Sequence, residues 1–242
     1  MGGSRGPDRL EWLGWSAHWA RAAASYAGYG RPGRLTGRLA AGVFGVVCAG
    51  GIVRATLGGA ALARMAGDPD DAPCPGDWVV VRHWPDGPFT VEQILPRHNL
   101  VRGVDPLGRR TARPVAANVD LMAVVVPGVV GSGDPTATVR GWLAAGREAG
   151  ARTAVVLVGW QGPAAPLVLD PSARREGPGP TVCGSAGAAR GAPGWWAPAG
   201  ETALLAGYPA LCASLTRAVA PATLGRFAVV PGGGLLIDPG CP

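Results

Sequence analysis

The sequence predicts a small β-barrel followed by an α/β sheet domain, and three observations carry that prediction. Between Gly33 and Leu95, short β-rich runs alternate with glycine and proline turns. After Ala117 the runs become continuously apolar and alternate with helical patterns, as buried parallel strands joined by helices require. Between the two lies a stretch rich in arginine and poor in apolar side chains. At 242 residues the chain can form one or two compact domains with a sizeable core.

The expected elements follow in order. Leu10 to Tyr29 carries Leu13, Ala17, Ala20 and Ala24 at helical spacing and reads as an amphipathic helix, ended by Gly30 and Pro32. Trp12, Trp15 and Trp19 on it are expected to pack rather than to form a ligand cage. Strands are expected at Arg34 to Leu39, Val43 to Cys48, Ile52 to Leu57, Trp78 to His83 and Thr90 to Leu95. Turns come from Gly50-Gly51, Pro75-Gly76-Asp77 and Pro85-Asp86-Gly87. Five short strands in about 65 residues suit a barrel of the oligonucleotide-binding type, and other small barrels fit the pattern equally. Arg97 to Arg113 reads as a linker, with phosphate contact or a solvated hinge as its two readings. Leu121 to Val126 and Thr153 to Val158 are expected as buried strands, with a helix between them over Thr136 to Gly150 that turns Val139, Leu143 and Ala144 inward. A further strand at Ala203 to Leu205 leads into a helix at Ala210 to Val219. A hairpin is expected from Ala228 to Val230 and Leu235 to Asp238. The domain reading is therefore 1–32 helical extension, 33–96 barrel, 97–116 linker and 117–242 α/β domain of the doubly wound kind.

Lysine does not occur; all 22 Lys+Arg positions are arginine. With 40 glycines and 24 prolines, this points to a compositional bias that weakens arginine count as a functional signal. The net charge of +6 still suits an anionic partner such as RNA. Residues 39–63 are the most apolar stretch, but Arg54 and several glycines interrupt it, and a membrane helix needs about 20 continuous apolar residues. Strands are expected there, no membrane span, and no export signal is read in Met1 to Asp8. Cys48, Cys74, Cys183, Cys212 and Cys241 are odd in number and lack any C-x-x-C pair, and His18, His83 and His98 do not cluster with them. Neither a disulfide framework nor a zinc site is expected, and a cytoplasmic location fits.

The chain carries L-G-W-S-A-H-W at Leu13, P-G-R at Pro32, G-D-W-V-V-V-R at Gly76 and L-P-R at Leu95. G-R-R-T follows at Gly108, A-A-N-V-D at Ala116, R-G-W-L-A-A-G-R-E-A-G-A at Arg140, V-V-L at Val155 and P-G-G-G-L-L-I-D at Pro231. In these residues and in their order it resembles the bacterial ribosome-small-subunit-dependent GTPase A family nearly end to end. The resemblance implies an oligonucleotide-binding-fold barrel followed by a circularly permuted, P-loop GTPase-like domain, in which the guanine-reading motif precedes the phosphate loop. It also implies GTP and Mg as cofactors and the small ribosomal subunit or its RNA as partner.

This sequence departs from the family pattern at several functional positions. Where the family has N-K-x-D, the chain has Val158, Gly159, Trp160 and Gln161, which removes the carboxylate that would bind the guanine edge. Ser185-Ala186 matches the short motif beside the base. The phosphate loop falls at Ala206 to Ser214; Gly207 keeps a glycine, while Cys212 stands at the lysine position and Ala213 at the magnesium-binding hydroxyl, and a shift of one residue that puts Ser214 at the hydroxyl puts Ala213 at the lysine position. Pro209 has no N–H to offer a phosphate, and Tyr208 and Leu211 add bulk. Gly225-Arg226 is followed by Phe227 in place of the family's histidine, and the switch threonines are missing. Asp238-Pro239-Gly240 is one residue short of D-T-P-G, leaving Asp238 and Gly240 as a remnant. The sequence stops at Pro242, so the family's zinc lobe is expected to be absent and the domain truncated; Cys241 alone cannot supply four ligands.

These losses touch phosphate binding, base choice, water positioning and magnesium ordering together, so no catalytic residue is assigned. The leading expectation is a monomeric GTPase-like protein that contacts the small subunit or ribosomal RNA without efficient turnover. Arg34, Arg38, Arg54, Arg82, Arg109 and Arg110 are its candidate RNA contacts, because a guanidinium binds phosphate through paired hydrogen bonds. An active GTP hydrolase in small-subunit maturation and a non-functional relic are the alternatives.

Overall fold

The structure is a computed structural model, and it describes residues 9–127, 136–158, 200–219, 222–224, 227–229 and 235–237. The first third is a closed barrel of five strands: β1 (Arg31–Ala40), β2 (Val43–Cys48), β3 (Gly51–Leu57), β4 (Trp78–His83) and β5 (Phe89–Ile94). Their order around the barrel is β1-β2-β3-β5-β4, with β4 returning to β1. All neighbours are antiparallel except β3 and β5, whose parallel pairing closes the barrel. β1 bends through two irregularities, between Leu35 and Gly37 and between Arg38 and Ala40, which lets one long strand serve a small closed barrel. Inward residues alternate along each strand and build a core of Leu35, Phe44, Val46, Ala55, Val79 and Val91.

Two departures from expectation lie in this third. The N-terminal run is two short helices, α1 (Arg9–Trp12) and α2 (Ala17–Ala23), with a 3-10 turn at Ala24–Tyr26. Gly14, at a φ of 89°, breaks the run. Leu10, Leu13 and Trp19 are the buried residues here, while Ala17, Ala20 and Ala24 are exposed. Trp19 packs with Trp78 under β4 and Leu95 after β5, closing the outside of the barrel. The second departure is α3 (Gly59–Gly67), a helix where only strands were expected.

The remainder is a six-stranded sheet of β8 (Leu121–Pro127), β9 (Arg152–Val158), β10 (Thr202–Gly207), β11 (Ala222–Leu224), β12 (Phe227–Val229) and β13 (Leu235–Ile237). Its order is β11-β12-β13-β10-β8-β9; β13, β10, β8 and β9 are parallel and the remaining pairs antiparallel. β8 is buried along both faces, which explains its unbroken apolar run. Met122, Val124 and Val126 face α4 (Thr136–Glu148), and Leu121, Ala123 and Val125 face α5 (Pro209–Val219). α4 turns Val139, Trp142 and Ala145 inward, with Leu143 only partly buried, so its buried face is rotated from the one expected. No helix among the described residues is long and apolar enough to cross a membrane.

The arginine-bearing segment is not a solvated connector. It holds a hairpin, β6 (Leu100–Val104) with β7 (Arg110–Ala117), whose Val101 and Ala116 are fully buried against the α4 side of the sheet. The approach is close enough that a side chain at Gly141 of α4 would meet the Gly108 carbonyl at 2.4 Å.

Polar side chains fasten barrel to sheet. Arg97 places its Nε 2.6 Å from one oxygen of fully buried Asp77 and a terminal nitrogen 2.8 Å from the other. It also donates to the carbonyls of Asp70 and Ala72. Burial alone would lower the Arg97 pKa, but the hydrogen bond and charge of Asp77 outweigh it and raise the value, so the cation is held firmly. Asn118, at a φ of 57°, donates to the Gly76 carbonyl at 2.9 Å and accepts from the His98 N–H at 2.9 Å. Removing one member of a buried pair strands the other charge. Arg97→Ala is therefore expected to lower stability by about 3–5 kcal/mol, read as a fall in the urea midpoint.

Cys48, Cys74 and Cys212 are buried. Burial raises the Cys48 thiol pKa, and burial together with the Asp77 charge raises that of Cys74 well above its ordinary value. Thiol reagents act on thiolates. Mass-spectrometric mapping of alkylation at mildly alkaline pH should find these three positions unlabelled in the folded chain and labelled in urea.

Candidate functional site

The expected phosphate loop lies where β10 meets α5. β10 ends at Gly207 and α5 begins at Pro209, so Tyr208 is the whole connection. A phosphate loop needs several residues there, with N–H groups turned inward around the anion. Gly207 adopts a φ of 105° and lies so close to β8 that a side chain there would meet the Val125 carbonyl at 2.4 Å. The Tyr208 N–H donates to that same carbonyl at 3.2 Å. Pro209 has no N–H. Those of Leu211 and Cys212 both donate to the Tyr208 carbonyl, at 3.0 and 2.9 Å. α5 thus starts directly after Tyr208, whose carbonyl accepts its first bonds.

Neither register supplies the side-chain chemistry. Cys212 is buried among Val125, Leu205 and Leu215, with its Sγ 3.6 Å from the Ala206 carbonyl. Ser214 is exposed on the outer side of α5. A lysine at 212 would therefore enter an apolar cluster rather than reach a phosphate. Ser185, Ala186, Asp238 and Gly240 lie outside the described residues, as do Gly159 to Gln161 and Gly225-Arg226. Among the described residues no three His, Cys, Asp or Glu side chains gather as a metal site.

The candidate arginines separate into three groups. Arg34 is inside the protein, 2% exposed, and is corrected from surface contact to internal brace. Its guanidinium donates to the carbonyls of Leu13, Gly76 and Asn118 and sits 5.1 Å from the Trp78 ring centre. Burial draws its pKa down to about 10, against the opposing charges of Asp120 and Asp77, so it is a cation at neutral pH. Arg109 and Arg110 are on the hairpin, far from the barrel strands in sequence, and are held in ion pairs: Arg109 with Asp105 of its own turn at 2.7 Å, and Arg110 with Glu148 of α4. Arg38, Arg54 and Arg82 belong to the barrel surface. Arg38 lies 5.7 Å from the Phe44 ring centre. Arg54 is exposed on β3, and Arg82 is half-buried on β4.

Arg82 has company that motif reading did not find. Its guanidinium carbon is 3.7 Å from the ring centre of Trp84 and 4.7 Å from that of Tyr29. Beside it, Arg31 lies 5.0 Å over Phe89, and His83 stacks on the same ring at 4.4 Å. The signal in the sequence was the run of basic residues ending in an aromatic, R-H-W, at the end of β4.

No protein-family model matches the chain. It is 36% identical over 164 residues to the Streptomyces coelicolor protein named small ribosomal subunit biogenesis GTPase RsgA, an alignment that takes in 67% of this chain and 41% of that protein. The chain thus spans about two-fifths of that relative's length. Its fold is similar to that of YloQ, described as a circularly permuted GTPase, at a TM-score of 0.53 and 17% identity over 87% of this chain and 71% of that one. It is also similar to YjeQ from Thermotoga maritima, at 0.52 and 16%, over 86% and 73%.

A Cys212→Lys substitution distinguishes a filled joint from a merely depleted loop. An ammonium forced among Val125, Leu205 and Leu215 would have no counter-charge among them and only the Ala206 carbonyl nearby. The variant should melt several degrees lower than the parent and show no gain in binding of a fluorescent GTP analogue.

Proposed function

The chain is related to the RsgA family of circularly permuted GTPases, and on that premise we propose that it contacts the small ribosomal subunit or its RNA without a working nucleotide switch. The observation that carries this reading is the joint between β10 and α5: one residue long, fastened to Val125 and Tyr208 carbonyls, and plugged by Cys212. GTP and magnesium, the ligands that the family resemblance implies, would need a loop, a lysine and a hydroxyl directed at the phosphates. The residues at this joint do not fit that group: in one register the residue at the lysine position, Cys212, is in the core and Ala213 has no hydroxyl, and in the other Ala213 stands for the lysine before an exposed Ser214. No chemical step is assigned to it.

The barrel supports the other half of the proposal. A closed five-strand barrel with exposed arginines and a chain charge of +6 offers a phosphate backbone several bidentate donors. The ion-paired Arg109 and Arg110 would first have to leave Asp105 and Glu148, so Arg54 and Arg82 are the stronger contacts. A soluble, cytoplasmic, monomeric protein is the setting this reading requires.

Co-sedimentation with purified small ribosomal subunits tests it. Binding is expected to fall steeply between low and moderate salt, as counterions compete with arginine. It is expected to be the same with and without a non-hydrolysable GTP analogue. Binding that needs the analogue would overturn the proposal and favour an active GTP hydrolase.

A further inference from the structure

The outer face of β3, β5 and β4 carries a preorganised pair of aromatic rings. Register aligns Thr56 with Thr90 and Thr90 with Arg82 in one row across the three strands. Their neighbours Ala55, Val91 and Val81 fill the barrel core, so the row itself faces outward. One step toward the hairpin tip, Arg54 lies on the same face, and Trp84 follows Arg82 by two residues. The Trp84 N–H of the backbone bonds the Pro88 carbonyl across the turn at 3.1 Å.

A single hydrogen-bond chain fixes both rings. Trp84 Nε1 donates to the Thr90 hydroxyl at 2.8 Å, and that hydroxyl donates to one oxygen of Glu92. The Tyr29 hydroxyl donates to the other oxygen at 3.3 Å. Arg82 sits against both rings, at 3.7 and 4.7 Å from their centres. Both carboxylate oxygens of Glu92 therefore hold a donor, and the polar edge of each ring is satisfied. Yet Trp84 remains 38% exposed and Tyr29 47%. A ring held in place has little side-chain entropy left to lose on binding.

We propose that this face is a stacking platform for unpaired bases of single-stranded RNA, with Trp84 and Tyr29 under the bases and Arg54 and Arg82 meeting the flanking phosphates. Every base offers a flat π-face, and stacking on fixed aromatic rings beside arginine is the chemistry by which single strands are held. The surroundings favour this over a protein partner. Arginines gather about the rings, with Arg82 against both, Arg31 over the neighbouring Phe89 and Arg54 exposed on β3, and the chain carries a net charge of +6, which suits a phosphate backbone. The choice of RNA rests on the function proposed above; the stacking chemistry does not.

The probe is a short fluorescein-labelled oligouridine, followed by fluorescence anisotropy at low salt, beside a duplex of equal length. The parent should bind the single strand more tightly than the duplex. Trp84→Ala should weaken binding about tenfold or more, Tyr29→Ala should weaken it too, and Trp84→Phe, which keeps a ring, should restore most of it. Thermal melts of each variant separate a lost contact from a lost fold. Equal affinities for parent, Y29A and W84A would overturn the platform, and subunit sedimentation by the parent would then leave the ribosomal reading on other surfaces. Loss of oligouridine binding in W84A, with no sedimentation by the parent, would uphold the platform and remove the ribosomal reading. A parent that ignores oligouridine but sediments in a Trp84-dependent way would overturn the single-strand platform and assign this face to folded RNA or a ribosomal protein.

Discussion

Arg34 is the constraint on which the arrangement of the molecule depends. Its guanidinium gathers carbonyls from Leu13, Gly76 and Asn118, which are separated widely in sequence. Those three belong to the N-terminal helices, the turn before β4 and the junction between β7 and β8. A buried cation without partners would cost several kcal/mol, so the three segments must stay where they are for the charge to be tolerated. A planar fork with donors on several edges can satisfy acceptors arriving from different directions; a lysine ammonium at the end of a flexible stem is a poorer match. Asn118 and the Asp77–Arg97 pair extend the same seam toward β4 and the hairpin. Barrel and sheet are thereby joined through satisfied polar groups as well as through apolar contact.

Much of the fold was legible because side-chain period and turn chemistry agree over most of the barrel. β2 and β4 stand at the residues that alternation and flanking glycine predict. β8 and β9 were legible from continuous apolar runs, since both of their faces are covered. The failures have physical causes. G-A-A-L-A-R-M-A-G has small residues on every side, so its helical period was hidden and α3 was missed. Gly14 interrupts what reads as a single helix, and tertiary packing of Trp19 on Trp78 decides which side of α2 is covered. The β6–β7 hairpin reads as a connector because arginines and Pro114 mask Val101, Val104 and Val115, the residues that carry its packing.

The site was legible to different depths. Absence of lysine is a fact of composition and already removed one phosphate ligand. That a single residue, Tyr208, joins β10 to α5 could be read only from the structure. The role of Arg34 was hidden, since nothing local distinguishes an arginine bound for the interior from one on the surface; its partners come from three distant segments. The Tyr29–Arg82–Trp84 assembly likewise needs the strand register and the position of the 3-10 turn, neither of which residue order states.

The joint after β10 has a thermodynamic side. A protein whose loop wraps a ligand gains folded population as that ligand's concentration rises above its dissociation constant. A strand–helix joint fastened by its own carbonyls draws no such increment at that point. Its closure by hydrogen bonds to the Val125 and Tyr208 carbonyls is part of the folding free energy of the chain itself. On the reading proposed above, that strand and its helix are assembled by the chain alone, and their shape would not follow cellular energy charge.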